Sequence, residues 1–299
     1  MNAALKTLLA TATLTVAGST LADTFTDAQG TVTIDGTPNT IVTFDLAPLD
    51  TFDTLGVKVT GVTKPHALGY LSKFKGDDYT DVGSFFEPDV ETTASLEPDL
   101  IVLGPRSAKF KDQFDEFAPT FDASVWGADF LDQFYSMTTE LAAVVGKEAE
   151  AEEHLDAIRA KVSDVNVAAA DAGNALFILT SGGKISAYGP GSRFGWFYDE
   201  LGVQPAVQDV EAATHGEPIS FEFLKDVNPD WLFVLDRDAA IGQSSGAAKA
   251  LLDNDIINSM PAAQNDRIVY VDGVAWYMVA FGLTAVDTAV TEVRDALVQ

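Results

Sequence analysis

The sequence predicts an α/β protein of two similar lobes, each with a mostly parallel sheet, that are joined by one long backbone helix and enclose a ligand cleft. Three observations predict this fold: a pattern that occurs twice, strand-like runs that alternate with helical patterns, and one long amphipathic segment between the two copies. Alternation of strands and helices is typical of a parallel sheet whose faces are covered by helices.

The repeated pattern occurs at two places that are 131 positions apart. Glu91 in the first copy and Glu222 in the second are each followed after seven residues by Pro-Asp, and then by an apolar run. Arg106 and Arg237 come fifteen residues after these glutamates. The pattern predicts a short helix, a Pro-Asp turn and a buried strand in each copy. Because the unit recurs, we expect two related lobes with an Arg at the rim of each.

The first 22 residues have the pattern of a cleavable signal peptide. Lys6 precedes an apolar run too short to span a bilayer, and small residues follow it up to Ala22. The alternative interpretation is a buried N-terminal helix. Because the chain has no Cys, no lipid can be attached at a signal-peptide Cys. We therefore expect a periplasmic protein without a lipid anchor, with a mature chain that begins near Asp23.

The rest of the chain divides into three predicted parts. Residues 23–146 form the N-terminal lobe, which begins with a hairpin whose turn signal is Asp35-Gly36. Residues 147–170 form the connecting helix, because apolar residues from Ala151 to Val165 recur at helical spacing while acidic residues cover the opposite face. Residues 171–299 form the C-terminal lobe. A single continuous helix is stiff, so we expect no large hinge closure.

Composition and motifs exclude several classes of function. Without the signal peptide the chain has 17 basic and 45 acidic residues, a formal charge of −28. Such a surface repels nucleic acid and anionic lipid, so we expect neither as a partner. The absence of Cys excludes disulfides and thiol chemistry. There is no Gly-x-Ser-x-Gly, His-Glu-x-x-His or Walker A motif, and the glycines between 189 and 195 lack the spacing of a dinucleotide site. We therefore expect no catalytic residues and no enzymatic activity.

Three arginines are the first candidates for ligand binding, because cationic residues are scarce in this chain. Arg106 and Arg237 end the two repeats, and Arg193 lies in a glycine-rich turn after a strand. Ligands of α/β sheets bind beyond the carboxyl ends of strands, where the three guanidinium groups can meet one anion. The alternative is that each Arg pairs with a neighbouring acid such as Asp236 or Asp238.

A histidine and a tyrosine are the next candidates. His215 lies in a loop before the second repeat, and Trp276-Tyr277 follows a strand. Spacing alone leaves His215 as either a surface residue or a ligand, and Trp276-Tyr277 as either core packing or a ligand contact. The three His of the chain are too dispersed for a His-rich zinc site.

Several motifs along the whole mature chain point to one family. They are Val82-Gly83 with Glu87-Pro88-Asp89, Gly191-Ser192-Arg193-Phe194-Gly195, His215-Gly216 with Ser220-Phe221-Glu222-Phe223, Asp236-Arg237, and Trp276-Tyr277 with Gly282-Leu283. With these motifs the chain resembles the periplasmic substrate-binding proteins of ABC importers for ferric catecholate siderophores, of the petrobactin and enterobactin type. That group belongs to the class whose two lobes are joined by a helical backbone.

The resemblance implies a role for each candidate residue. Arg106, Arg193 and Arg237 match the three arginines that line the cleft and bind the anionic siderophore. His215 and Tyr277 match a His and a Tyr that bind Fe(III) directly when the siderophore supplies only four donor atoms. Fe(III) prefers anionic oxygen, which suits a tyrosine phenolate, and guanidinium forks suit catecholate oxygens. The run after the Tyr is bulkier here than the glycine-rich run usual in the family.

The resemblance also implies a partner and a function. Glu91 and Glu222 match the glutamates that dock on arginine pockets of the two permease subunits; the alternative is that both are acids favoured by the helix dipole. We expect a monomer, without a permanent cofactor, that captures a ferric catecholate siderophore and delivers it to an inner-membrane ABC permease. The alternatives are haem, a corrinoid or a ferric hydroxamate as the ligand, and, more distantly, a secreted enzyme.

Overall fold

The computed structural model describes residues 22–210, 215–243 and 246–298. Within these residues two larger sheets form two lobes, and helices cover the sheets. One long helix follows the first of these sheets in the sequence and precedes the second. The predicted two-lobed α/β fold is therefore confirmed. The predicted signal peptide lies outside the described residues except for Ala22. No helix of the described ranges is long and apolar enough to cross a membrane.

A short antiparallel hairpin precedes the first sheet, formed by strands β1 (Ala22–Asp27) and β2 (Gly30–Asp35). Its turn lies at residues 28–29, so the predicted turn at Asp35-Gly36 is wrong. The reason is that Asp27 accepts a hydrogen bond from the backbone N–H of Gln29 at 2.8 Å. An Asp that binds the amide two residues later forms a turn by itself.

The N-terminal lobe has a five-stranded parallel sheet. Its strands are β3 (Ile41–Thr43), β4 (Gly61–Val62), β5 (Thr80–Asp81), β6 (Leu100–Leu103) and β7 (Thr120–Asp122). Its helices are α1 (Leu46–Thr54), α2 (Val90–Ser95), α3 (Lys111–Phe114) and α4 (Phe130–Val144), with 3-10 turns at Lys64–His66, Gly69–Lys75 and Ala108–Phe110. The order β5-β4-β3-β6-β7 brings the ends of β3, β6 and β7 to one edge.

The connecting helix α5 (Glu148–Ala169) has 22 residues. Its predicted apolar face is the buried one, with Ala151, Leu155, Ile158 and Val165 in the core.

The C-terminal lobe has a mixed sheet. Its strands are β8 (Asn174–Ser181), β9 (Lys184–Tyr188), β10 (Gln204–Pro205), β11 (Glu217–Ile219), β12 (Trp231–Asp236) and β13 (Ile268–Val271). Its helices are α6 (Trp196–Asp199), α7 (Phe221–Val227), α8 (Arg237–Ala240), α9 (Ala247–Leu252), α10 (Asp255–Asn258), α11 (Pro261–Gln264) and α12 (Leu283–Leu297), with a π-helical turn at Val274–Val279. The order is β11-β9-β8-β12-β13, and β10 pairs with the start of β8. Strands β8, β12 and β13 are parallel, whereas β9 and β11 run antiparallel to their neighbours.

The repeated pattern forms the same local structure in both lobes. The residue before each Pro of the pattern is left-handed, with φ of 49° in the first copy and 47° in the second. Asp99 accepts a hydrogen bond from the N–H of Thr40 at 2.9 Å, and Asp230 accepts one from the N–H of Asn174 at 2.9 Å. In each lobe the Asp of the Pro-Asp pair therefore binds the backbone at the start of an earlier strand, β3 or β8, and holds that strand beside the repeat.

One hydrophobic core runs through both lobes. Strand β12 turns Phe233 and Leu235 toward this shared core, and Leu232 and Val234 toward a second cluster on the outer face. The shared core also contains the buried faces of α5 and α12. Because separating the lobes would expose part of a continuous core, the fold favours one fixed relation between them.

Candidate ligand-binding cleft

The candidate site lies where the carboxyl ends of strands from the two sheets face each other. Arg106 follows β6, and Trp126 follows the neighbouring β7. In the other lobe Arg237 is the first residue after β12, and Tyr277 lies in the turn after the adjacent β13. Arg193 lies in the loop between β9 and α6. This edge of parallel sheets is where ligands bind in α/β folds.

Tyr277 brings the three arginines together. Its backbone carbonyl oxygen accepts hydrogen bonds from Arg106 Nη2 at 3.2 Å and from Arg193 Nη2 at 2.7 Å. Its phenolic oxygen accepts one from Arg237 Nε at 3.0 Å. The guanidinium carbon of Arg193 also lies 4.2 Å from the centre of the Tyr277 ring. One residue thus contacts guanidinium groups from both lobes.

The backbone around Tyr277 is a π-helical turn that ends in an unusual conformation at Ala280. The π-helical turn ends with a hydrogen bond from Ala280 N–H to the carbonyl of Ala275 at 2.8 Å. Ala280 itself has φ +66° and ψ −69°, and Phe281 N–H donates to the carbonyl of Val279 at 2.9 Å. These values define a three-residue γ-turn, a strained conformation for a residue with a side chain. The bulky run noted in the sequence therefore carries a strained turn at the edge of the site.

A cleft of about 500 Å³ separates the two lobes beside this cluster. Arg106 and Arg193 line it, together with aromatic residues of both lobes that include Trp126, Phe130 and Phe281. Neither Tyr277 nor Arg237 is among the described residues that line this cleft. Tyr277 contacts the lining residue Arg193, and Arg237 contacts Tyr277. The cavity has the size of a small-molecule site, with an apolar wall and two cationic groups.

The charges of the cluster favour an anion. Burial, and next the positive charge of Arg106, lower the pKa of Arg193 below its ordinary value. Burial alone would raise the pKa of Tyr277, but the hydrogen bond from Arg237 and the charges of Arg193, Arg237 and Arg106 outweigh it, so this pKa lies below the ordinary value of a phenol. Repulsion between the guanidinium groups is relieved when an anion binds between them.

The acids near the cluster compensate it only in part. Arg106 Nη1 lies 3.8 Å from Oδ2 of the buried Asp45. Among the described residues no carboxylate oxygen lies within 4.0 Å of the Arg193 or Arg237 guanidinium nitrogens. The neighbouring acids bind elsewhere: Asp236 accepts from the N–H of Ala239 and Ala248, and Asp238 from Ser181 and Gly182. Of the three arginines, only Arg106 therefore lies within ion-pair distance of a described acid, and Asp236 and Asp238 do not pair with Arg193 or Arg237.

His215 lies near the cluster but is not joined to it. Its side chain is exposed, and within the described ranges it has no hydrogen bond or ring contact with Tyr277 or the arginines. The next residue, Gly216, has φ +69° and packs so closely on Tyr188 that a Cβ would lie 2.7 Å from that ring. Burial raises the pKa of Tyr188 to about 12, while the positive charges of Arg193 and Arg237 oppose this shift, as expected for a residue beside the cluster. Gly216, the residue after His215, therefore lies against a neighbour of the cluster.

Glu91 and Glu222 occupy equivalent positions in the two lobes. Each is the second residue of its helix, α2 or α7, and both side chains are exposed. Asp89 caps α2 through the N–H of Thr92 at 2.9 Å, and Ser220 caps α7 through the N–H of Phe223 at 3.1 Å. Because other side chains cap these helices, the two glutamates are not needed as caps.

Sequence reasoning missed several residues of the site. Trp126 follows β7 just as Arg106 follows β6, but β7 has only three residues and gives a weak strand signal. Glu292 of α12 was also missed: its carboxylate accepts from the indole N–H of Trp276 at 2.8 Å and from the N–H of Asp272 at 2.9 Å. It thereby fixes the start of the turn that carries Tyr277, and no local pattern connects the two.

Comparisons with known proteins identify the family of the chain. The sequence profile of the periplasmic binding protein family matches residues 41–275. The petrobactin-binding protein YclQ of Bacillus subtilis is 38% identical over 274 residues, which cover 91% of this chain and 86% of that protein. The ferric-anguibactin-binding protein FatB of Vibrio anguillarum is 29% identical over 270 residues, which cover 88% of this chain and 84% of that protein.

Solved structures are similar over nearly the whole chain. The crystal structure of YclQ from Bacillus subtilis has a TM-score of 0.87 and 36% identity, and the match covers 93% of this chain and 99% of that chain. The catecholate-siderophore binding protein VctP of Vibrio cholerae has a TM-score of 0.84 and 29% identity, with 92% of this chain and 100% of that chain covered. Profile, identity and fold agree, and the chain belongs to the periplasmic binding protein family.

Proposed function

We propose that the protein captures a ferric siderophore of the catecholate type in the cleft between its lobes and delivers it to an inner-membrane ABC permease for iron uptake. The observation that carries this proposal is the convergence of Arg106, Arg193 and Arg237 on Tyr277. Three guanidinium groups in a chain of net charge −27 make a local cationic site for an anionic ligand.

The chemistry of the site favours catecholates in particular. Each catecholate presents two anionic oxygens, which match the paired N–H donors of a guanidinium group. The lowered pKa of Arg193 reflects burial and a like charge nearby, so a ligand that brings negative charge is stabilised there. The names of YclQ and VctP describe ligands of the siderophore class, which supports the same ligand class for this chain.

Tyr277 and His215 are proposed to bind Fe(III) when the siderophore leaves two coordination positions open. A hard cation such as Fe(III) prefers anionic oxygen. The pKa of Tyr277 is lowered by the arginines around it, which favours the phenolate. Because the His215 side chain is exposed and makes no contact with Tyr277 within the described residues, we expect this side chain to approach Tyr277 when the ferric ligand binds.

The partner and location follow from the same proposal. Glu91 and Glu222 are proposed to dock on the permease, since both are exposed at equivalent positions of the two lobes. We propose that residues 1–22 direct the chain to the periplasm and are removed, and that the mature chain (lobe 23–146, helix 147–170, lobe 171–299) acts as a monomer without lipid anchor. The protein holds no permanent cofactor and catalyses no reaction in this proposal.

Titration of the purified protein with three ligand classes tests the proposal. A ferric bis-catecholate, a ferric hydroxamate and haemin are added to separate samples. Binding is followed by tryptophan fluorescence and by isothermal titration calorimetry. The proposal predicts the tightest binding for the ferric bis-catecholate. Tighter binding of the hydroxamate or of haemin would contradict it, and the ligand without iron is the control for the contribution of the metal.

A further inference from the structure

Trp126 is an exposed tryptophan inside the cleft. Its relative exposure is 52%, whereas Trp196, Trp231 and Trp276 are at most 7% exposed. Large aromatic side chains are buried on average, so a tryptophan that remains exposed in a concave site calls for an explanation. Trp126 lines the cleft between the lobes.

The backbone of Trp126 is held in place by one side chain. Gln133, on α4, accepts a hydrogen bond from the Trp126 N–H at 3.2 Å and donates one to the Trp126 carbonyl at 3.0 Å. It also donates to the carbonyl of Ala128 at 2.6 Å. These bonds fix the backbone from which the indole projects, so the loop itself need not become ordered when a ligand packs against Trp126.

The indole lies next to the cationic cluster. The guanidinium carbon of Arg193 is 5.8 Å from the centre of a Trp126 ring and 4.2 Å from the centre of the Tyr277 ring. Arg193 thus lies between an aromatic residue of each lobe. In a catecholate the anionic oxygens are bonded directly to the aromatic ring, so an oxygen bound to Arg193 brings its ring within reach of Trp126.

We propose that Trp126 is a stacking surface for an aryl ring of the ligand and that it favours aryl-bearing ferric complexes. The inference rests on the proposed function and names the part of the ligand that this wall of the cleft recognises. Aromatic stacking adds a geometric preference to charge pairing, because offset rings gain an attraction that aliphatic groups of similar size lack. The arginines select the charge of the ligand, and Trp126 selects its aromatic ring.

Three variants test this inference with a ferric bis-catecholate as the probe. Trp126→Phe keeps an aromatic face, Trp126→Leu keeps apolar bulk without one, and Phe117→Leu changes another exposed aromatic residue outside the cleft lining. Affinity is measured by equilibrium dialysis, using the visible absorption of the ligand, so that the loss of a tryptophan does not change the signal. Thermal unfolding of each variant checks that the fold is intact.

We expect Trp126→Leu to weaken binding about two- to tenfold, the value of an aromatic pair, while Trp126→Phe and Phe117→Leu stay within about twofold of the wild type. Equal affinity of the Phe and Leu variants would overturn the role of Trp126 and leave the proposed function intact. If the wild type does not bind the ferric bis-catecholate, the proposed function fails and the inference falls with it.

Discussion

Asp50 of the N-terminal lobe caps the last helix of the C-terminal lobe. Its Oδ2 accepts a hydrogen bond from the backbone N–H of Ala285 at 3.1 Å, in the first turn of α12. That helix has no side-chain cap of its own, and Gly282 at its N-cap is required because a Cβ there would collide with the Asp50 carboxylate. A buried residue of one lobe therefore supplies a helix cap to the other.

The C-terminal lobe in turn caps a helix of the N-terminal lobe. Glu200 of the C-terminal lobe accepts hydrogen bonds from the N–H of Phe130 at 2.8 Å and of Leu131 at 2.7 Å, at the start of α4. The N-cap residue of α4, Asp129, makes no side-chain cap. Each lobe thus caps a helix of the other, in addition to sharing a core with it. These contacts are a physical reason to expect little change in the relation of the lobes when a ligand binds.

Asp50 should make the stability of the protein depend on pH in an unusual direction. Burial raises the pKa of this carboxyl from 3.8 to about 7, although the Ala285 amide and Tyr70 partly offset the effect. The folded state therefore holds the proton more tightly than the unfolded state. The stability contributed by Asp50 is full below about pH 4 and is lost as pH rises toward 7.

Asp50→Asn, which stays neutral and keeps an acceptor oxygen, should remove this dependence. The free energy of unfolding of the variant relative to the wild type should increase between pH 4 and 7, by at most about 1.4 kcal/mol per pH unit. Urea unfolding at several pH values measures it, with the surface variant Asp77→Asn as control. Parallel pH profiles of the Asp50 variant and the wild type would argue against the buried, proton-holding carboxyl.

Tyr277 and His215 should matter for one kind of ferric complex only. Tyr277→Phe removes the phenol but leaves the backbone carbonyl that binds Arg106 and Arg193. It should therefore weaken a tetradentate bis-catecholate about tenfold or more, since a phenolate ligand to Fe(III) is lost. A hexadentate tris-catecholate, which saturates the iron, should lose much less.

His215→Ala should follow the same pattern as Tyr277→Phe. Affinities of both variants for both ferric ligands are measured by titration, and the charge-transfer band of the tetradentate complex is recorded on binding. If both ligands lose affinity by the same ratio, direct coordination by Tyr277 and His215 is excluded.

Glu292 should act on ligand binding through the turn that holds Tyr277. Its carboxylate accepts from the Trp276 indole and the Asp272 amide, so Glu292→Ala releases the start of that turn, whereas Glu292→Gln keeps one acceptor oxygen. We expect Glu292→Ala to lower both the affinity for the ferric ligand and the melting temperature, and Glu292→Gln to do so less. An affinity unchanged in Glu292→Ala would remove the link between this residue and the site.

Glu91 and Glu222 should affect transport and not ligand binding. The double change Glu91→Gln and Glu222→Gln alters two exposed residues away from the cleft lining, so affinity for the ferric ligand should stay the same. Uptake of labelled iron through the permease should fall about tenfold, as expected when charge-assisted contacts are lost. Glu148→Gln with Glu153→Gln on the connecting helix is the control of equal charge. Normal uptake by the first pair would remove the docking role.

The sequence predicts the fold and part of the site for physical reasons that can be named. The repeat that ends in Arg106 and Arg237 predicts two lobes, because each copy is a helix, a turn and a strand whose Arg falls at the ligand edge of the sheet. Asp50 and Glu200 were not predictable, because their helix caps cross between lobes and have no local pattern. The position of His215 relative to Tyr277 was not predictable either. It depends on the conformation of a loop, which is set by contacts with residues that are distant in the sequence.

The central claim is that the arginine cluster binds the anionic ferric ligand, and the most direct measurement is the affinity of three single variants for a ferric bis-catecholate. Arg106→Gln, Arg193→Gln and Arg237→Gln each remove a charged donor of a partly buried cluster, and Arg159→Gln on the surface of α5 is the control. Charge-assisted hydrogen bonds contribute about 1.5 to 3 kcal/mol, so each cluster variant should bind about tenfold or more weakly. Unchanged affinity in all three variants would contradict the account.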